Sequence, residues 1–275
     1  MNRKLLITAP MHYSQRLLKA FERYKDRVDV LHIPMVESTF DNTGEQMREL
    51  RDNLDKYDFV IPLSRKAIES MHFHWHNRKE LGSARFLAIG KDNDRMRKLM
   101  GIEPPFVSTE PSPMGIAKEL ERRDMARGKR VAVVGPAFKG MEEPRTVPDF
   151  LDELERLGAK TKRFGAYLNM PTELRLRKKA YELIKNKDLT GIAFTSGSEV
   201  VAFSDGLKEV YGKDAHNLLG ELTLCYLGPY TAKQANLTGL KTDIVSTCFN
   251  SFDDFTAYLA ENEKRGWLTD KTCRT

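Results

Sequence analysis

The chain has 275 residues, 40% of them hydrophobic and 31% charged, with a formal net charge of +6. That apolar share can fill buried cores and excludes a disordered chain; no run approaches the ~20 apolar residues of a membrane span. Its length suits two domains; its modest positive surplus suits a nucleic-acid partner and a polyanionic small molecule equally, and charge alone does not choose between them.

The amino-terminal "MNRKLLITAPMHY" has too short an apolar run for a signal peptide and reads as a first strand, "KLLIT" (4–8). Further strands are predicted at "VDVLHI" (28–33), "DFVIP" (58–62), "RFLAIG" (85–90) and "RVAVVG" (130–135). The remaining candidates are "KTKRFGAY" (160–167), "GIAFTS" (191–196), "TLCYLG" (223–228) and "TDIVS" (242–246). Most are nearly continuous apolar runs, the pattern of parallel strands covered by helices on both faces. Amphipathic segments lie between them. "VPDFLDELERLG" (147–158) ends in a glycine suited to a helix C-terminus; "SFDDFTAYLAENEKRG" (251–266) opens on a serine cap with acids in its first turn. The alternation predicts an α/β architecture with parallel sheets.

The units repeat. "KLLITAP…RLLKAFERYKDRVDVLHIPMVE" and "KRVAVVGPAF…FLDELERLGAKTKRFGAYLNMP" share one order: strand, helix, strand, then an extended exit bearing proline. Each is followed by strand, hydroxyl turn, helix, strand, glycine turn and helix. Such repetition predicts two similar lobes. The expected division is residues 1–34 with 171–275 as one lobe, 47–163 as the other, and 35–46 and 164–170 as linkers.

Ligands of open parallel sheets bind beyond the carboxyl ends of the strands, where helix N-termini offer unpaired N–H groups to anions. Four turns fit: "PLSRKA" (62–67), "IGKDND" (89–94), "TSGSEV" (195–200) and "LGPYTA" (227–232). They nominate Ser64, Arg65, Gly90, Asn93, Thr195, Ser196, Gly197, Ser198, Gly228, Tyr230 and Thr231 as ligand binders; Ser64, Ser198 and Thr231 read equally as helix caps. Two turns per lobe, facing each other, would form a cleft for a polyacid.

Other signals point elsewhere or nowhere. There is no GxxxxGK[ST] phosphate loop and no GxGxxG after the first strand. The scattered Cys225, Cys248 and Cys273 argue against a disulfide framework and fit a reducing cytoplasm. The basic "LRLRKKAYELIK" (174–185) reads as a solvated helix face, and the lack of aromatic-basic interleaving argues against a nucleic-acid partner. "HFHWH" (72–76) places His72 and His76 one turn apart on a helix, which reads as a polar helix end rather than a metal site. His12 follows the first turn without a motif.

"FTSGSEVVAF" after a strand, "LGPYTAKQA" as a glycine-then-TA turn, and "AYLN" after "LERLGAKTKRF" together resemble the uroporphyrinogen-III synthase family of the HemD type, over nearly the whole chain. The resemblance implies two flavodoxin-like lobes joined by a two-stranded extended linker. It implies an enzyme that uses no cofactor, a cyclising hydro-lyase of tetrapyrrole synthesis. Its substrate would be hydroxymethylbilane, a linear tetrapyrrole with eight carboxylates. That chain would lose water and close to uroporphyrinogen III with its last ring inverted. From the residues themselves the expectations are a cytoplasmic protein with no metal and no membrane or nucleic-acid partner, and a monomer, since no obviously apolar exposed helix appears. Tyr167 matches the family's cleft tyrosine, and the resemblance implies a catalytic role for it as proton donor or orienter. The plain alternative for Tyr167 is packing of the linker; for the whole chain, it is a non-catalytic two-lobed binder of a tetrapyrrole or other polycarboxylate. The chain departs from the family pattern at Ala9, where an arginine is usual, at Asn93, where a threonine is usual, and in the long segment 136–146.

Overall fold

The computed structural model describes residues 3–40, 43–75, 82–249 and 251–261. In chain order its elements begin with β1 (Arg3–Ile7), α1 (Met11–Phe21), β2 (Val28–His32), β3 (Val36–Thr39), α2 (Gly44–Asp52) and β4 (Phe59–Pro62). Next come α3 (Arg65–Trp75), β5 (Arg85–Phe86), α4 (Asp92–Met100), α5 (Pro113–Arg122), β6 (Arg130–Phe138), α6 (Thr146–Arg156) and β7 (Lys160–Pro171). The last are α7 (Leu174–Lys185), β8 (Gly191–Phe194), α8 (Gly197–Tyr211), β9 (Thr223–Tyr226), α9 (Pro229–Thr238), β10 (Ile244–Val245) and α10 (Phe252–Glu261).

The chain divides into two compact units. The first takes its described residues from Met1–Glu37, Gly140–Pro144 and Met170–Thr275, the second from Ser38–Lys139 and Arg145–Asn169.

The first unit's sheet runs β10-β9-β8-β1-β2, and all its pairings are parallel. Within the unit this is the doubly wound 2-1-3-4-5 order, which reverses between β1 and β8. Alternate residues of each strand serve opposite cores. Leu5 and Ile7 pack with α1 and α10 through Leu17, Phe21, Phe255 and Leu259. Leu6, Ile192, Phe194 and Leu224 pack with α7, α8 and α9 through Tyr181, Phe203 and Ala235. Both faces being covered, the strands read as unbroken apolar runs. Each fully buried aliphatic side chain contributes roughly 1.5–3 kcal/mol.

The second unit's sheet runs β3-β7-β6-β4-β5, with β4–β5, β4–β6 and β6–β7 parallel. Val60, Ala132, Val134 and Phe164 face α2, α3 and α4; Phe59, Ile61, Val131 and Val133 face α5 and α6. The strand expected over "RFLAIG" is a strand only at Arg85–Phe86; Leu87 N still donates to Val60 O (3.1 Å), and beyond it the N–H and carbonyl of Ala88 are taken by the Asn93 side chain.

The β6–β7 register carries one irregularity. Gly135 lies opposite Gly165, but Pro136 lies opposite Tyr167, which leaves Ala166 as an extra residue. Its carbonyl accepts a hydrogen bond from Ser70 on α3. Because a strand alternates, residues 166 and 167 should face opposite sides; the bulge puts Ala166 and Tyr167 in the same core.

The basic helix α7 is not wholly solvated, contrary to the sequence expectation. Arg177 is 7% exposed, and its guanidinium donates to the carbonyl oxygens of Thr172 (2.9 Å) and Ala202 (3.0 Å). Gly206 of α8 makes this possible: a Cβ there would stand 2.2 Å from Arg177 Nη1 and 2.3 Å from Tyr181 Oη.

Candidate active site

In the second unit the strand order reverses between β4 and β6, so the expected ligand position lies beyond the carboxyl end of β4. The chain leaves β4 through Leu63 and Ser64 into α3. Ser64 Oγ accepts from Ala67 N (3.1 Å), satisfying a first-turn amide, and donates to the Tyr167 hydroxyl (3.1 Å). Tyr167 reaches Ser64 because the bulge turns it toward α3. It is 7% exposed, and burial pushes its phenol up to about 12, with the Ser64 hydrogen bond opposing. The phenol therefore keeps its proton throughout the neutral range, available for donation.

The neighbouring candidates fall into different roles. Arg65 Nε donates to Asp92 Oδ1 (2.8 Å), tying the first turns of α3 and α4 together. Asn93 is 1% exposed and turned inward: its Nδ2 donates to the carbonyls of Ala88 (2.9 Å) and Gly90 (2.8 Å), and its Oδ1 accepts from Ala88 N (3.3 Å). Gly90 has φ +46°, and a Cβ there would come within 3.0 Å of Pro111. Lys66, which the sequence did not nominate, donates to Ser38 O (2.9 Å) and lies 4.8 Å from the centre of the Phe40 ring. Burial lowers its pKa. Arg145, in the long 136–146 segment, pairs with Asp149 (2.9 Å) and Asp152 (3.1 Å).

In the first unit the reversal falls between β1 and β8, and a residue missed from sequence sits there. Glu199, 0% exposed, lies in the first turn of α8. Its Oε2 accepts from the hydroxyl of Thr8 at the end of β1 (2.7 Å) and from Thr195 N (2.8 Å). Its Oε1 accepts from the hydroxyls of Thr195 (2.5 Å) and Ser196 (2.9 Å). Ser196 in turn caps the helix by accepting from Glu199 N (3.5 Å). The Thr195-Ser196 hydroxyls are thus engaged by a carboxyl group of their own turn. The signal was present: Ser196-Gly-Ser-Glu199 has the S-x-x-E spacing of a capping box.

Ser198 and Thr231, 8% and 6% exposed, stand apart from that network; among the described residues neither hydroxyl has a hydrogen-bond partner. Both occupy first turns, of α8 and α9. The start of α8 lies against α9, since a Cβ on Gly197 would lie 3.3 Å from Cγ of Gln234 in the second turn of α9. Gly228 opens α9 with φ +97°, a Cβ there would lie 3.1 Å from Phe249 Cγ, and Pro229 follows at the first helical position. Tyr230 is half-buried beside them.

His72 lies exposed on α3, whereas His76, Trp267 and Cys273 fall outside the described residues. His12 is exposed on α1 with its ring against Tyr13. Of the other cysteines Cys225 is buried and Cys248 exposed.

Glu199 gives a test of its own burial. Desolvation raises its pKa above the usual 4.5, with the four donors only partly opposing, so the folded state holds its proton more tightly than the unfolded state. Its contribution is full below the unfolded value and is lost as pH rises through the folded one. Urea unfolding at several pH values should show wild type losing stability relative to Glu199→Gln as pH rises from 4.5. A difference that grows in favour of wild type would refute this reading.

Parallel sheets whose strands end in capped, polar helix starts define a doubly wound α/β protein built as two units. The chain belongs to the uroporphyrinogen-III synthase HemD family, whose model matches residues 16–252, and it is accordingly an enzyme, a cyclising lyase. Solved structures agree in fold. A mutant uroporphyrinogen III synthase from the extreme thermophile Thermus thermophilus superposes with a TM-score of 0.65 at 15% identity, covering 96% of this chain and 99% of that one. The wild-type enzyme of the same bacterium, in another crystal form, gives a TM-score of 0.50 at 14% identity, with the same coverage of 96% and 99%. Comparison with curated proteins by sequence gives no match. Among the described residues no helix is long and apolar enough to cross a membrane.

Proposed function

We propose that the chain converts hydroxymethylbilane to uroporphyrinogen III, with loss of water and inversion of the last ring, in the synthesis of tetrapyrroles such as heme, siroheme and cobalamin. The observation that carries this reading is the Tyr167–Ser64 pair at the carboxyl edge of the second unit's sheet. The amide of Ala67 donates to Ser64, and Ser64 donates to Tyr167. Each bond polarises the next, and the phenolic proton at the end of the series is left to donate to a ligand. That proton is directed to the terminal hydroxyl of the substrate. The carbon–oxygen bond breaks and the oxygen leaves as water; the methylene carbon of the azafulvene cation bonds to the substituted α-carbon of the last ring, the bond from that α-carbon to its bridge carbon breaks, and the freed bridge carbon bonds to the ring's other α-carbon, whose proton is released on rearomatisation, so the ring is inverted.

The substrate's carboxylates are taken by helix starts. Each unit by itself offers such donors: in the first, Ser198 and Thr231 with the backbone amides of Gly197, Ser198 and Tyr230; in the second, the backbone amides of the first turn of α3. Ring closure of this flexible chain depends on its two ends being held near each other. Arg65, Gly90, Asn93, Thr195, Ser196 and Gly228 serve this reading by fixing the turns.

The test is direct. Hydroxymethylbilane, made freshly by its upstream enzyme, is supplied to the protein and the uroporphyrinogen isomers are resolved. The type III isomer is expected. Type I alone, the spontaneous product, refutes the assignment.

A further inference from the structure

The carboxyl group of Glu199 lies just beyond the ends of β1 and β8, at the reversal of the sheet. In an ordinary capping box the third helical residue reaches back to the backbone N–H of the cap. Glu199 does something different. It receives the N–H of Thr195 and three hydroxyls, and one of those, on Thr8, comes from a strand 191 residues away along the chain. A side chain that only closed the helix end would not need to span two strands. Among the described residues no lysine or arginine pairs with it, so the four donors and the helix start provide its compensation.

We propose that Glu199 is a positioning residue: its carboxyl group ties the end of β1 to the β8–α8 turn and so fixes the anion-accepting first turn of α8. Ser198 and the amides of Gly197 and Ser198 follow Ser196 directly, so the direction of these donors is set by the segment that Glu199 grips. The same carboxyl group fills the innermost acid seat of this turn. Carboxylates of the ligand are therefore met one step outward, at Ser198 and Thr231. This inference rests on the function proposed above for its link to substrate, but not for the clamp itself.

The experiment uses Glu199→Ala and Glu199→Gln in the full chain, with sodium acetate as the probe for the vacated seat. Glu199→Ala should raise KM for hydroxymethylbilane about tenfold while kcat stays within about threefold, since a ground-state contact is misaligned and the proton donor is untouched. Acetate should restore both KM and the melting temperature of Glu199→Ala, sodium chloride at equal ionic strength should not, and wild type should respond to neither. Glu199→Gln, which keeps the shape, should fall between them, with amide hydrogen exchange at Thr195 faster than in wild type. An unchanged KM in either folded variant, or acetate acting no better than chloride, overturns the proposal. Should wild type yield only the type I isomer, the functional assignment fails on that ground, and acetate rescue with Thr195 exchange still decides the clamp. If Glu199→Ala does not fold, KM and Thr195 exchange in Glu199→Gln decide it.

Discussion

Tyr167→Phe is expected to lower kcat by about 10²-fold, the lower end of what a positioned proton donor contributes, with KM changed by less than about threefold. Phenylalanine keeps the ring and its place in the core beside Phe164 and Ala166. Only the hydroxyl is lost, and with it the bond to Ser64, a stability change of about 1 kcal/mol. The slow residual reaction should deliver a larger share of the type I isomer, because departure of the leaving group would outlast retention of the chain. Ser64→Ala serves as the companion variant. It leaves the phenol in place but removes the donor that polarises it, so a loss of about 5- to 10-fold in kcat is expected. Initial rates and isomer ratios measure both, and a Tyr167→Phe enzyme with the wild-type rate would remove the phenol from the mechanism.

Gly115→Ala should unfold most readily of the simple variants, by about 2–4 kcal/mol. A Cβ at this position would lie 2.2 Å from the carbonyl oxygen of Glu110 and 2.9 Å from its carbonyl carbon, far inside contact distance. The obstacle is backbone, so no side-chain rotation relieves it. Moving Glu110 aside would break two bonds to its carbonyl, from Ser108 Oγ (2.8 Å) and Ser112 N (2.9 Å), and disturb the Ser112 cap on Gly115 N (3.0 Å). The better helix propensity of alanine returns only about 1 kcal/mol. In urea the midpoint should fall with little change in slope. Gly128→Ala is the control: its φ is +72° but nothing lies within 4 Å of the added carbon, so strain of about 1 kcal/mol is the whole cost. Equal midpoints for the two variants would show that the clash at Gly115 is relieved cheaply.

The α/β class was legible because both faces of each sheet are covered. Leu5, Leu6 and Ile7 are all buried, and so are Val131 to Val134, which turns a half-buried alternation into an unmistakable run. Edge strands were less clear. "RFLAIG" has the composition of a full strand, yet pairs over two residues only, since pairing depends on a neighbour that composition does not reveal. In the site, the polar turns were visible as clusters of Ser, Thr and Gly, but their internal wiring was not. Thr195, Ser196 and Ser198 look alike in sequence; the first two spend their hydroxyls on Glu199 and the third does not. Glu199 itself was not nominated from the sequence, because burial is a property of the packed neighbours. Arg177 misled in the same way: its long side chain reads as solvated until the absence of a side chain at Gly206 is seen to make room for it. The bulge at Ala166 has no sequence mark at all, although it decides where Tyr167 points.

The division of the first unit along the chain has a consequence for biosynthesis. Thr8 and Ala193 are hydrogen-bonded neighbours in the sheet but 185 residues apart in sequence. At roughly 5–20 residues per second on the ribosome, β1 waits on the order of ten seconds or more for its partner β8 to emerge. Meanwhile β4, β5, β6 and β7 have all been synthesised, and the second unit can complete its sheet first. Throughout that interval the nascent β1–β2 pair exposes the edge reserved for β8, so the chain's vulnerable moment falls early in translation and ends when the strand "GIAF" arrives.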